Sequence, residues 1–150
     1  MNILVINGPN LNMLGIREVD VYGRNTYEDL VNYLSTIATQ YNINLEVFQT
    51  NSEEKIINKL HEAYFKKVDG IIINPAAFTH YSYAIYDAIK AINIKTVEVH
   101  LSNIYEREDF RKINVIKDAC VKSFYGKGFL SYKEALLYLI GEEDETSKRI

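Results

Sequence analysis

The chain has 150 residues, of which 47% are hydrophobic and 25% are charged, and its formal net charge is -3. This length and composition predict one domain, residues 1–150, that needs neither disulfides nor a structural metal to fold. Both signs of charge are interspersed, so there is no basic stripe of the kind that binds nucleic acid. The single cysteine, Cys120, excludes an internal disulfide and fits a reducing compartment.

Membrane association is not expected. No apolar stretch approaches the roughly 18 residues needed to cross a bilayer. The apolar run 1–7 is short, lacks a basic start and leads directly into Asn-Gly-Pro, so it does not resemble a signal peptide. We therefore expect a cytoplasmic protein without a membrane partner.

The first predicted strand, 3–6, is followed by an unusually long connection. Residues 8–25 show no helical or strand period, whereas strand-to-helix loops usually have about 2–6 residues. Gly15 and Gly23 bracket the charged part of this segment and could act as hinges of a lid. The alternative is a disordered insertion, but the apolar residues of this segment favour a packed loop. Those residues are Leu11, Met13, Leu14 and Ile16.

The rest of the chain alternates between helical and β-branched segments. Apolar residues recur with a helical period over 27–41, where Thr26 and Asp29 resemble a capping box, and again over 53–67 and 83–92. Short β-branched runs at 45–48, 70–73, 96–99 and, more weakly, 121–125 predict strands. Ser131 and Glu134 are expected to open a last helix over 135–140, which Gly141 ends. The acidic tail, 142–150, should be frayed.

This alternation predicts an α/β fold with a parallel sheet and helices on both faces. Five strands in a chain of this length fit a flavodoxin-like, doubly wound order, 2-1-3-4-5. In such sheets ligands bind beyond the carboxyl ends of the strands, where the strand order reverses. That rule brings together the polar residues that follow the predicted strands.

His100 is the strongest candidate for acid–base chemistry. It ends the fourth predicted strand, and Glu98, two residues earlier, points to the same face. A carboxylate fixes the tautomer of a neighbouring imidazole and favours its protonated form, which suits a general acid. A purely structural histidine at a strand end is the alternative. Backbone N–H groups at Leu101 and Ser102 could bind a carboxylate.

Tyr22 is a candidate general base. A tyrosine ordinarily titrates near about 10, so it acts as a base at neutral pH only beside a cation that favours the phenolate. Arg17 lies in the same loop and could supply that charge. The pair is weak evidence by itself, because the chain has 12 tyrosines.

Three further residues could contact a ligand at the same edge of the sheet. Asn74 and His80 belong to the loop after the third strand, although His80 could instead cap a helix. Arg111 could clamp a substrate or form a surface ion pair. The chain lacks nucleotide-binding motifs, metal-ligand spacing among its histidines and a nucleophile elbow, which leaves acid–base chemistry without a cofactor or metal.

Several blocks together resemble the type II 3-dehydroquinate dehydratase family, over nearly the whole chain to about residue 140. The blocks are 7–15 (Asn-Gly-Pro-Asn-Leu-Asn-Met-Leu-Gly), Arg-Glu at 17–18 with Tyr-Gly at 22–23, 48–51 (Phe-Gln-Thr-Asn), 73–80 (Ile-Asn-Pro-Ala-Ala-Phe-Thr-His), 98–103 (Glu-Val-His-Leu-Ser-Asn) and 107–111 (Arg-Glu-Asp-Phe-Arg). Their number and order make the resemblance more specific than any single motif.

The resemblance implies removal of water from 3-dehydroquinate by trans elimination through an enolate, without metal or Schiff base. It implies that Tyr22 takes the proton, Arg17 activates Tyr22, and His100, oriented by Glu98, protonates the leaving hydroxyl. Asn12 would hold a water at the enolate oxygen. The substrate would be bound by Asn74, His80, Arg111 and the 101–102 backbone. Asp87 would act at a subunit contact, because the family forms dodecamers built from trimers.

The chain departs from the family pattern at several positions. Val19 replaces the usual proline before the tyrosine, the 50–54 block is altered, Ala76 replaces a glycine and Phe78 a tyrosine. Asn114 and Lys122 also differ, in regions expected to be remote from the chemistry. A flavin- or nucleotide-binding module, a Schiff-base enzyme and an inactive assembly subunit on the same fold remain alternatives.

Overall fold

A computed structural model describes residues 1–16 and 18–142 of the chain, except for the side chain of Tyr22. Arg17 and nearly all of the acidic tail, 143–150, lie outside the described residues.

The described residues contain one sheet of five parallel strands in the order β2-β1-β3-β4-β5. The predicted flavodoxin-like order, 2-1-3-4-5, is therefore confirmed. Each strand agrees with its predicted run to within two residues. The strands are β1 Asn2–Asn7, β2 Asn44–Gln49, β3 Gly70–Asn74, β4 Thr96–His100 and β5 Lys122–Tyr125.

Four of the five described α-helices match predicted segments, and the short helix α1 does not. The helices are α1 Val19–Tyr22, α2 Tyr27–Gln40, α3 Glu53–Phe65, α4 Tyr83–Ile92 and α5 Phe129–Ile140. The Thr26–Asp29 capping box is confirmed, with both of its hydrogen bonds present. The predicted start of the last helix is wrong. Gly128 precedes its first turn, and Ser131 lies inside the helix, where its Oγ accepts a hydrogen bond from Lys127 N at 3.1 Å. No helix in the described ranges is long and apolar enough to cross a membrane.

The helices cover both faces of the sheet, as predicted. One apolar cluster packs α2 and α5 against odd-numbered residues of β1 and β4, such as Val5 and Val99. The other packs α3 and α4 against Leu4, Ile6 and Ile73. Because side chains alternate along a strand, the residues beside Val97 and Val99 point to the α3–α4 face. That geometry puts Glu98 and His100 on one face, at the carboxyl end of β4.

The long connection 8–25 has more local structure than its sequence period predicts. It contains a 3₁₀ turn at Leu11–Met13 and the four-residue helix α1. Leu11 and Leu14 are buried in the core, which agrees with a packed loop, whereas Ile16 is exposed. Gly15 and Gly23 both have left-handed backbone conformations, with φ of 84° and 78°. The role of this segment as a lid stays a prediction.

Candidate active site

The carboxyl ends of β1 and β3 meet at a close backbone contact. Gly8 N donates to Asn74 O at 2.8 Å. A Cβ on Gly8 would lie 2.7 Å from the carbonyl oxygen of Pro75, so only glycine allows this approach. The contact joins the loops of the two strands at the point where the strand order reverses.

A cavity of about 110 Å³ opens beside this contact. Its wall includes six of the predicted site residues: Asn74, His80, His100, Leu101, Ser102 and Arg111. The other lining residues are Pro9, Asn10, Leu11, Ala76, Ala77, Ile104 and Arg107. The switch-point rule therefore located the cavity from sequence alone.

His100 and Glu98 form a buried pair at one side of this cavity. His100 Nε2 lies 2.8 Å from Glu98 Oε2, and the two residues are 5% and 0% exposed. An ionised carboxylate can only accept, so Nε2 is the donor and Nδ1 is the nitrogen left for proton exchange. Burial raises the pKa of Glu98, but its hydrogen bonds and the charge of His100 outweigh burial and hold that pKa below the ordinary value.

His80 lies in the 3₁₀ turn Ala76–His80 and is half-buried in the cavity wall. Its Nδ1 lies 2.7 Å from the carbonyl oxygen of Ile113, which requires a proton on Nδ1. Burial lowers the pKa of His80, as do the charges of Arg111, His100 and Arg107, while the carbonyl contact raises it. The neutral ring, with Nε2 as an acceptor, can therefore receive a hydrogen bond from a ligand hydroxyl.

Asn74 is held from two sides. Its Oδ1 accepts a hydrogen bond from Ala76 N at 3.1 Å, and its Nδ2 donates to the hydroxyl of Tyr132 at 3.0 Å. The Tyr132 hydroxyl in turn donates to Asn7 Oδ1 at 2.6 Å. One proton of Nδ2 remains for a ligand. Tyr132 and Asn7 were not among the predicted site residues.

Two arginines bring positive charge to the cavity. Arg111 forms an ion pair with Glu108 and stacks on the ring of Phe110, with 4.7 Å between its guanidinium carbon and the ring centroid. Arg111 thus forms the ion pair that was one of its two predicted roles, and it also lines the cavity. Its other predicted role, clamping a substrate, stays a prediction. Arg107 also lines the cavity and reaches Glu18 at 3.4 Å. Sequence reasoning missed it, although it opens the same charged run as Arg111.

The remaining predicted residues lie outside the cavity wall. Asn12 is exposed, and its Oδ1 accepts a hydrogen bond from Gln49 Nε2 at 3.4 Å. Asp87 is exposed on α4, away from the cavity. The backbone of Tyr22 ends α1, but its side chain and all of Arg17 lie outside the described residues.

One sequence expectation is wrong. Asn114, expected to be remote from the chemistry, donates through Nδ2 to Glu98 Oε2 at 2.8 Å. Ser123, on β5, donates through Oγ to Glu98 Oε1 at 2.7 Å. Ser123 stands directly beside Glu98 in the parallel register of β4 and β5. Glu98 therefore accepts hydrogen bonds from both of these residues and from His100.

Comparison with known proteins gives the same family as the sequence blocks. Residues 1–140 match the profile of the family "Dehydroquinase class II". The chain belongs to the class II dehydroquinase family. The 3-dehydroquinate dehydratase of Caldicellulosiruptor saccharolyticus is 58% identical over 91% of this chain and 94% of that protein. The enzyme of the same name from Clostridium acetobutylicum is 57% identical over 88% of this chain and 91% of its own length.

Solved structures of the family share the fold. The type II dehydroquinase of Butyrivibrio crossotus superposes with a TM-score of 0.92 at 51% identity, covering 93% of this chain and 97% of its own. The dehydroquinase prediction, and with it that of a dehydratase enzyme, is confirmed. In this chain the Glu98–His100 pair lies at the carboxyl edge of the doubly wound sheet.

Proposed function

We propose that the chain is a 3-dehydroquinate dehydratase of the shikimate pathway. It converts 3-dehydroquinate to 3-dehydroshikimate by trans elimination through an enolate, without a cofactor. The observation that carries this proposal is the buried His100–Glu98 pair at the cavity beside the carboxyl ends of β1 and β3. Membership of the class II dehydroquinase family supplies the substrate.

His100 acts as the general acid. Its Nε2 is bound to Glu98, so Nδ1 carries the proton that is transferred. Collapse of the enolate forms the carbon–carbon double bond and breaks the carbon–oxygen bond, and the departing hydroxyl takes this proton and leaves as water. Glu98 stabilises the charged imidazole between turnovers, because a buried carboxylate attracts a nearby cation strongly.

Tyr22 acts as the general base. Its phenolate removes the proton next to the ketone, and the electron pair of that carbon–hydrogen bond forms the enolate. Arg17 favours the phenolate, and a water held by Asn12 donates a hydrogen bond to the enolate oxygen. The contact of Gln49 with Asn12 Oδ1 supports this role, because it leaves the Nδ2 protons of Asn12 for that water.

The substrate's hydroxyls and carboxylate are bound by the remaining wall of the cavity. Asn74 Nδ2 and His80 Nε2 face hydroxyls, one as a donor and the other as an acceptor. Arg111 and the backbone N–H groups of Leu101 and Ser102 bind the carboxylate. The neutral state expected for His80 supports this assignment, because a neutral ring does not compete with Arg111 for the substrate carboxylate.

Assembly completes the site in this proposal. Asp87 contacts the substrate pocket of a neighbouring subunit, within trimers that build a dodecamer. The exposure of Asp87 on α4, outside the cavity of its own subunit, agrees with such a role. Sedimentation of the full chain tests the assembly separately from its activity.

The direct test is the appearance of conjugated-enone absorbance when purified protein is mixed with 3-dehydroquinate, without added metal or nucleotide. We expect turnover that depends linearly on protein concentration. Inactivation by borohydride in the presence of substrate would instead indicate a Schiff base. Absence of enone formation at high protein concentration contradicts the proposal.

A further inference from the structure

Glu98 accepts more hydrogen bonds than it needs to orient His100. It is fully buried, and it accepts two hydrogen bonds besides the one from His100. Asn114 Nδ2 contacts the same oxygen as His100, at 2.8 Å, and Ser123 Oγ contacts the other oxygen at 2.7 Å. A buried carboxylate needs such donors, since each one replaces part of the hydration lost on burial.

The direction of the Asn114 hydrogen bond is fixed by a second set of contacts. Asn114 Oδ1 accepts hydrogen bonds from the backbone N–H groups of Ile116 and Lys117, both at 3.0 Å. An amide oxygen accepts and an amide nitrogen donates, so Nδ2 must face Glu98. The turn at residues 114–117 therefore presents a donor to the carboxylate.

Ser123 reaches Glu98 because of strand register. Glu98 and Ser123 are paired in the parallel ladder between β4 and β5, so their side chains leave the same face of the sheet. The adjacent β5 residues Lys122 and Phe124 point to the opposite face. Ser123 is thus the β5 side chain placed to bind this carboxylate.

We propose that Asn114 and Ser123 are positioning residues that hold Glu98 ionised, and thereby set the pH range over which His100 carries a transferable proton. Neither residue touches the cavity, so both act through Glu98. This inference rests on the proposed function for its catalytic consequence. The part that concerns the charge of Glu98 depends only on the side chains of Asn114, Ser123, Glu98 and His100.

Other titratable groups around the pair do not replace these donors. Cys120 is half-buried near Glu98, and desolvation followed by the charge of that carboxylate raises the pKa of the thiol, which stays neutral. His80, Arg107 and Arg111 lie on the cavity side of His100. Asp118, beside Asn114, is exposed to solvent, which screens its charge.

The variants that test the inference are Ser123→Ala, Ser123→Thr and Asn114→Asp. Ser123→Ala removes one donor, whereas Ser123→Thr keeps the hydroxyl and serves as its matched control. Asn114→Asp keeps the oxygen that accepts from Ile116 and Lys117, but replaces the donor with a second carboxylate oxygen. This variant therefore preserves the turn, but it replaces a hydrogen bond to Glu98 with repulsion between two carboxylates.

The measurement is an NMR titration of the histidine rings in ¹⁵N-labelled protein. The chain has three histidines, so a His61→Gln and a His80→Gln sample assign the His100 signals by elimination. A carboxylate that has lost a donor attracts a proton more strongly. We expect the His100–Glu98 pair to take up its proton at a pH about one unit higher in Ser123→Ala, and at least as much higher in Asn114→Asp. Ser123→Thr should titrate as the unaltered chain does.

The alkaline limb of the pH profile of kcat, which reports loss of the His100 proton, should move in parallel to higher pH, whereas the acidic limb, set by Tyr22, should stay in place. A loss of stability without displacement of the titration, in variants that remain folded, would show that the donors serve only packing and would overturn the inference. If the unaltered chain has no dehydratase activity but the titration moves as expected, the proposed function fails and the electrostatic inference stands. If the chain is active and the titration does not move, the inference fails alone.

Discussion

The hydroxyl of Tyr132 accepts a hydrogen bond from Asn74 Nδ2 at 3.0 Å, beneath the floor of the cavity. It also donates to Asn7 Oδ1 at 2.6 Å, so it ties the ends of β1 and β3 to α5. Tyr132 is fully buried, and burial raises its pKa, which keeps the hydroxyl protonated and able to donate. A side chain of the last helix thus orients a residue proposed to bind substrate.

We expect Tyr132→Phe to lower the free energy of unfolding by about 1–3 kcal/mol, because it leaves Asn7 and Asn74 with unpaired polar atoms in the core. It should also raise KM for 3-dehydroquinate several-fold, since Asn74 loses the contact that orients it. Urea unfolding and steady-state kinetics measure the two effects. Tyr138→Phe is the matched control. Tyr138 lies on the same helix, and its hydroxyl has no hydrogen bond among residues 1–16 and 18–142. If both variants behave alike, the hydroxyl of Tyr132 has no special role.

We expect Tyr22→Phe to reduce kcat by about 10²–10⁴-fold with little change in KM, because a general base contributes to the transition state and hardly to substrate binding. Tyr41→Phe is the control, since Tyr41 caps the carboxyl end of α2 and does not line the cavity. Near-normal turnover by Tyr22→Phe would assign the base to another residue. Single-turnover assays exclude product release as the step that changes.

The sequence predicts this fold well because each strand and each of the four long helices has its own local period. The switch-point rule then brings the polar strand ends together, and the spacing of two residues between Glu98 and His100 predicts their contact. Helix α1 was missed because four residues are too few to show a helical period. Asn114 and Ser123 were missed for another reason. Their contacts with Glu98 depend on the register of β4 with β5 and on the path of a turn, which no local pattern in the sequence encodes.

Ala76 has a left-handed backbone, with φ of 52°. For a residue with a Cβ this conformation costs about 1–2 kcal/mol, whereas glycine adopts it freely at a smaller entropic cost in the unfolded chain. We expect Ala76→Gly to raise the free energy of unfolding by about 0.5–1 kcal/mol. The neighbouring residue Ala77 has no positive φ, so Ala77→Gly should lower it by about the same amount. Opposite signs for the two substitutions in urea unfolding would confirm the strain, and equal losses would contradict it.

The environment of Glu98 makes the free energy of unfolding depend on pH. Its hydrogen bonds with His100, Ser123 and Asn114 hold its pKa in the folded protein below the ordinary value of 4.5, despite the opposing effect of burial. A carboxyl group with a lowered pKa stabilises the fold at pH values above its ordinary pKa, and this contribution disappears as the pH falls through the pKa of the folded state.

We expect the difference in unfolding free energy between the unaltered chain and Glu98→Gln to be largest near neutral pH and to narrow steadily below about pH 4.5. The glutamine cannot lose a proton, and its NH₂ group also faces donors that the carboxylate accepted, so the variant lacks the pH-dependent part of the stabilisation. Urea unfolding at a series of pH values measures the difference. Glu54→Gln, at an exposed position in the first turn of α3, provides the control for removing one surface charge. A constant difference across the series would mean that Glu98 is not held ionised by its three donors.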